Sequence, residues 1–204
     1  MSQLLIPGKH LDWDNLEILL EDDFSSVSSW VKDGDIAITA DKGVLELKWQ
    51  SGGRLCHGQL FSKPEFPAEV IMDFEAETVP PSANDIIWWW NVRMNRQQDH
   101  WKSGYLGALG GWFTNQAGIE KISRTRCRTA RTPLLRLEPG KRYHIQSGMI
   151  AGIGFMIVDG QLILELEAPT KGGTGSGRIG FGVYQSHFKI RNLKVLGTRH
   201  QTKK

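Results

Sequence analysis

Apolar and polar residues alternate with a period of two through most of the chain. The clearest case is 70–78, where Val70, Met72, Phe74 and Ala76 fall on one face and Ile71, Asp73, Glu75 and Glu77 on the other. A period of two is the pattern of a strand with one face against a core. Comparable runs predict strands over 36–39, 44–49, 55–61, 86–94, 104–113, 119–126, 142–149, 154–158, 161–167, 178–184 and 187–195. Turn residues separate them: Asp41-Lys42-Gly43, Pro80-Pro81-Ser82 and Asp159-Gly160. Asp-Gly between two apolar runs is a strong hairpin signal, because a type I′ turn needs positive φ at both central positions. About a dozen strands at the 8–12-residue spacing of a sandwich give an all-β fold. Helical periodicity is confined to 12–20, where Asp12 or Asp14 would cap a short helix. With no repeat, low-complexity tract or linker, the reading is one domain over 1–204, its core about 16–197 and its basic tail 198–204 frayed.

Composition adds little to this. A chain of 204 residues can bury one sizeable core, and 23 glycines suit many tight turns. A net charge of +3 is too small to imply nucleic acid. The basic run Arg124 to Arg131 reads as an edge strand protected by its charge in preference to an anion site. The first residues lack a basic start followed by a long apolar core, and no run approaches membrane-spanning length. A soluble, cytoplasmic protein is therefore expected, with Cys56 and Cys127 free and buried.

Candidate chemistry concentrates on two strands. In 86–94, period two puts Ile86, Trp88, Trp90, Val92 and Met94 on a core face and Ile87, Trp89, Asn91 and Arg93 opposite. The second set joins an aromatic plate to an amide and a guanidinium, a mixture suited to sugars; burial of Trp89 beneath a loop is the equal alternative. In 70–78, Asp73, Glu75 and Glu77 are two residues apart, roughly 6.6 Å of rise, which is compatible with the paired carboxylates of glycosidases. A solvent-facing strand surface is the competing explanation, and for Glu77 the stronger one. His144 shares a polar face with Arg142 and Gln146; His100 and Trp101 follow the tryptophan strand. No two histidines have metal-ligand spacing. No cofactor is implied, although Asp22, Asp23 and Asp159 could offer oxygens to a structural calcium as readily as they form turns.

The order from Asp159-Gly160 through Arg178-Ile179-Gly180-Phe181 to Val195 resembles the end of concanavalin A-like lectin/glucanase jelly-roll domains. Acidic residues at alternate positions of 70–78 resemble the active-site strand of laminarinase-like glycosidases, with the order changed to Asp-x-Glu-x-Glu. Glu21-Asp22-Asp23-Phe24 with Trp30, Glu65-Phe66-Pro67 before Glu75, Ser103-Gly104-Tyr105-Leu106-Gly107-Ala108-Leu109 and the segment Arg124 to Arg131 are similar to the YesU-like family. A more distant similarity is to the 3-keto-disaccharide hydrolase group. Two departures are the missing aspartate after Glu165-Leu166-Glu167-Ala168 and Arg128-Thr129-Ala130-Arg131 where Asn-Leu-Arg-Lys is expected.

The resemblance implies a carbohydrate ligand. The expectation is a glycan-cleaving enzyme, hydrolase or lyase, with Glu75, Asp73 and His144 catalytic. Trp89, Asn91, Arg93, His100, Trp101, Tyr105 and Arg126 would hold an oligosaccharide or polysaccharide, and the arginines would suit a uronate. A non-catalytic lectin-like module is the alternative, and a structural protein with core aromatics the third. An exposed edge strand could pair two subunits.

Overall fold

A computed structural model of the chain describes residues 4–6, 9–11, 13–50, 57–94, 101–123, 127–168 and 175–198. Its strands are β1 (Leu4–Ile6), β2 (Lys9–Leu11), β3 (Leu16–Asp22), β4 (Trp30–Gly34), β5 (Ile36–Asp41) and β6 (Val44–Trp49). There follow β7 (His57–Ser62), β8 (Val70–Thr78), β9 (Ile86–Met94), β10 (Trp101–Gly111), β11 (Gln116–Ser123) and β12 (Arg128–Thr132). The last are β13 (Arg142–Ile150), β14 (Ile153–Val158), β15 (Gln161–Glu167), β16 (Arg178–Tyr184) and β17 (His187–Thr198).

Hairpin chemistry fixes the local pairings. Lys42 and Gly43 have φ of 48° and 79°, and Asp159 and Gly160 have 50° and 78°, so both expected turns are left-handed at two successive residues. Ala151 and Gly152, at 53° and 82°, make a third such turn between β13 and β14. Two large antiparallel sheets result, one of seven strands in the order β12-β11-β10-β9-β16-β7-β4 and one of eight in the order β15-β14-β13-β8-β17-β6-β5 with β3 paired to β17 off this path, while β1 and β2 form a separate two-stranded sheet. The fold is a concanavalin A-like jelly-roll β-sandwich. The basic strand β12 is an edge, as its charge predicts.

The core lies between the sheets. Phe74 of β8 meets Trp88 of β9 edge-on at 5.7 Å and Phe181 of β16 at 5.3 Å, so three strands from two sheets share one aromatic contact. Trp90 stacks on Tyr105 at 5.6 Å with an interplanar angle of 13°. The remaining core positions are the inward members of each alternating strand.

Three expectations are corrected. Residues 16–22 form strand β3 after a 3₁₀ turn at Trp13–Asn15, not a helix. The reason is tertiary: β6 pairs with only Phe188 to Arg191 and neighbouring His187 of β17, and β3 takes up the free edge from Leu193 to Thr198. The alternation of β9 breaks at Asn91, whose φ is 49°. Both neighbouring strands shift register there, so Val92 and Met94 join Trp89 on the outer side instead of Trp90 in the core. Cys127 is a free thiol and exposed; Cys56 lies outside the described residues.

Two glycines of β13 and its turn separate packing from conformation. A Cβ on Gly148 would collide with the carbonyl oxygen of Val70 on the paired strand, whereas one on Gly152 meets nothing within 4 Å. Gly148→Ala should therefore lower Tm severely or prevent folding. Gly152→Ala should cost only the left-handed strain, on the order of 1 kcal/mol. Thermal unfolding of the two variants checks this; equal losses would contradict it.

Candidate functional site

The hairpin joining β10 to β11 turns through Trp112, Phe113, Thr114 and Asn115. Trp112, Phe113 and Asn115 have φ of 56°, 58° and 50°. Left-handed backbone is costly for side chains other than glycine and persists where surrounding contacts enforce it. Asn115 supplies those contacts: its Nδ2 donates to the Leu137 carbonyl at 3.1 Å and its Oδ1 accepts from the Leu137 amide at 2.7 Å. The turn places Trp112 against Gly118 of β11, where any Cβ would strike the indole ring. The indole Nε1 donates to Glu120 Oε2 at 3.2 Å, and the Arg131 guanidinium lies 5.8 Å from the ring. Phe113 is 90% exposed and stands edge-on to Tyr184 at 5.7 Å.

These rings wall a pocket of about 270 Å³ on the outer side of the seven-stranded sheet. Ile87, Leu106 and Ala108 line its apolar part, and Asn84, Asp85, Glu120 and Gln185 supply polar groups. Asn84 Nδ2 donates to the Gln185 carbonyl at 2.9 Å, tying the two rim segments together. Below the pocket, Trp89 packs with Phe61, Ile87, Val92 and Ala108. Aromatic faces beside a few polar groups make a surface suited to a small polar ligand with apolar C–H faces.

Asp85 is the unusual group. Its Oδ1 is buried and has no hydrogen-bond partner among the described residues. Burial pushes the carboxyl up to about 7, opposed only by a hydrogen bond from its own backbone. Near neutral pH it is therefore an acid that can still donate a proton.

The residues expected to form one site lie on two outer faces. Phe74 of β8 and Trp88 of β9 point toward each other, so Asp73 and Glu75 face outward from one sheet and Ile87 and Trp89 outward from the other. Asp73 and His144 do meet: His144 Nε2 is 2.8 Å from Asp73 Oδ1, and Gln146 Nε2 donates to Asp73 Oδ2 at 2.7 Å. Glu75 lies 3.6 Å from Arg142. Asp73, Glu75 and His144 line a depression of about 350 Å³ with Glu21, Phe74, Asn192 and Lys194, and the Phe74 ring is fully buried in the core. Glu77 is bound by Arg142 and Arg191; burial raises its carboxyl, but those bonds and charges outweigh it and leave it below its ordinary value.

Trp89 is 3% exposed and Tyr105 fully buried, so neither offers a ring face to solvent. Asn91 is also 3% exposed, and its Nδ2 donates to the carbonyls of Pro67, Ala68 and Gly175. Its amide holds two segments beside β9. Arg93 is exposed. Trp101 pairs with Met94 through the backbone, while His100 and Arg126 lie outside the described residues. Asp22 binds the Phe24 amide and Trp30 Nε1, and Asp159 binds the His144 amide, so these aspartates serve turns and neighbouring strands. Asp85, Trp112, Phe113, Glu120 and Tyr184 were not anticipated. The available signal was Gly110-Gly111 before and Thr114-Asn115 after two aromatics, a turn that presents rings.

Asp85 makes a pH prediction. Its folded value of about 7 lies above the 3.8 of an ordinary aspartate, so between them the unfolded chain has released the proton that the folded chain keeps. Stability conferred by this group is full below about pH 4 and lost as pH rises to about 7. Asp85→Asn should thus stabilise the protein increasingly over that window, by at most about 4 kcal/mol above it. Chemical denaturation at pH 5 and pH 8 measures it; an equal effect at both would refute the assignment.

No family model matches the chain, and no curated protein does. Solved structures do. A carbohydrate-binding module from Bacillus subtilis is 12% identical with a TM-score of 0.63, over 82% of this chain and 94% of that one. A Bacillus subtilis protein of unknown function with a galectin-like fold is 15% identical with a TM-score of 0.68, over 89% and 97%. A Bacillus licheniformis β-glucanase is 11% identical with a TM-score of 0.64, over 88% and 98%. At these identities the likeness establishes a shared jelly-roll fold, in which both glycan binders and a glucanase are found.

Proposed function

We propose that the protein is carbohydrate-active and takes an oligosaccharide or polysaccharide fragment in the pocket of the seven-stranded sheet. The observation that carries this reading is Phe113, held 90% exposed by a strained turn and set edge-on to Tyr184 above an apolar floor. An exposed ring on a stabilised turn is costly unless something covers it. Sugar C–H faces match the rings, and Asn84, Gln185 and Glu120 offer partners for hydroxyls. The charged groups lining the pocket are carboxylates, which favours neutral sugars over the uronates first expected. The neighbouring folds named above support the jelly-roll class, and the YesU-like resemblance stays the family reading proposed from the sequence motifs.

A second reading keeps Asp73, Glu75 and His144 as a catalytic group on the opposite sheet. The 2.8 Å contact of His144 with Asp73 favours it, since a carboxylate fixes the imidazole for proton transfer.

Calorimetric titration with neutral gluco-, galacto- and manno-oligosaccharides separates the two. Phe113→Ala should leave Tm nearly unchanged and weaken binding about tenfold, or about 1.4 kcal/mol. Glu75→Gln should leave affinity intact. Loss of binding on Glu75→Gln with none on Phe113→Ala would move the site to the other sheet.

A further inference from the structure

The pocket holds two carboxyl groups whose surroundings differ sharply. Asp85 Oδ1 is buried without a partner among the described residues. Glu120 accepts the Trp112 Nε1 hydrogen through Oε2 at 3.2 Å, so its carboxyl is positioned by the indole. The two enter from opposite sides of β10. Ile86, next to Asp85, pairs with Leu109 on one edge of that strand, and Glu120 pairs with Leu106 on the other. Asp85, one residue beyond Ile86, and Glu120 are therefore roughly 10 Å apart across the sheet and roughly 13 Å along it at the backbone. Both side chains line one pocket of about 270 Å³, reaching it from opposite sides of β10.

We propose that Asp85 and Glu120 are an acid–base pair that hydrolyses a glycosidic bond of a neutral oligosaccharide seated against Phe113 and Tyr184. The inference rests on the glycan-binding reading of this pocket. Asp85 gives its proton to the glycosidic oxygen as the bond to the anomeric carbon breaks, and the bonding electron pair leaves with that oxygen. Glu120 takes a proton from the water whose oxygen bonds to the anomeric carbon. Solvent then returns a proton from Glu120 to Asp85, so one water is consumed and two hydroxyl-bearing fragments are released. The step is a water-mediated displacement because the two carboxyls enter from opposite sides of β10 and not side by side on one strand.

The other groups around the pair are consistent with these roles. Arg131 lies behind the Trp112 ring on the Glu120 side, and Tyr184, Asn84 and Gln185 bring no charge at neutral pH. Among the described residues nothing cationic lines the pocket to draw the proton from Asp85, and burial keeps it bound to about pH 7. Proton transfer by a positioned acid or base contributes typically 10²–10⁴-fold to a rate.

The test incubates wild type, Asp85→Asn and Glu120→Gln with the same neutral oligosaccharide panel, follows products by chromatography, and measures binding by thermal shift. Glu120→Gln keeps an acceptor for Trp112, and Asp85→Asn should fold at least as stably as wild type. The proposal expects cleavage by wild type, a loss in kcat on the order of 100-fold or more in each variant, and retained ligand-induced shifts. It also expects wild-type kcat/KM to fall as pH rises through about 7. Cleavage by either variant at the wild-type rate would overturn it. So would wild type that binds a panel member yet releases no product from any, an outcome that leaves the pocket as a binding site. Absence of binding by any saccharide would overturn both readings together.

Discussion

The contact of Phe74 with Trp88 and Phe181 is the constraint from which much of the rest follows. It inserts the largest side chains of two facing sheets into one layer, and such a layer packs only when its neighbours are small. Gly107 is small for this reason: a Cβ there would enter the Trp88 ring. Trp90 extends the layer by stacking on Tyr105, which places both inside. Once Trp88 and Trp90 face the core, strand geometry directs Ile87 and Trp89 to the opposite side of the sheet. That side becomes apolar too, and it forms the floor on which the pocket is built.

The same contact divides the polar chemistry of the molecule. With Phe74 inward, Asp73, Glu75 and Glu77 point away from the core on the eight-stranded sheet. There they join a surface network: Asp73 with His144 and Gln146, Glu75 with Arg142, Glu77 with Arg142 and Arg191. Partners on neighbouring strands satisfy these carboxylates without excluding water. Asp85 differs because it sits where a strand enters the apolar side of the other sheet and, among the described residues, no cation lines its pocket. Two carboxylates of one chain thus experience different solvents, and burial alone makes one a poor anion.

Trp112 and Phe113 show how a turn can store conformational strain for a surface purpose. Their left-handed backbone is opposed by no glycine flexibility, so it depends on Asn115 clamping Leu137 and on Gly118 making room for the indole. The outcome is one ring fixed against the sheet and the next held in solvent. Rigid presentation reduces the ordering entropy lost when a ligand binds.

What the sequence determined by itself was local. Period-two alternation in 70–78 and the paired positive-φ turns at Lys42-Gly43 and Asp159-Gly160 specified strands, hairpins and the all-β class, because those signals act between near neighbours. Within β9 the alternation also identified Trp88 and Trp90 as core, but it carried Val92 to the wrong face, since a bulge at Asn91 depends on strands on either side. Residues 16–20 have no local feature that makes them a strand; the free edge of β17 does. The candidate site was least legible. The polar faces carrying Asp73 and His144 were each legible in the alternation, but their meeting follows from the register of β8 with β13, as the separation of Asp73 and Glu75 from Trp89 follows from the sheet to which each strand belongs. Asp85, Glu120 and Phe113 come together only through long-range register and burial, and local alternation contains neither.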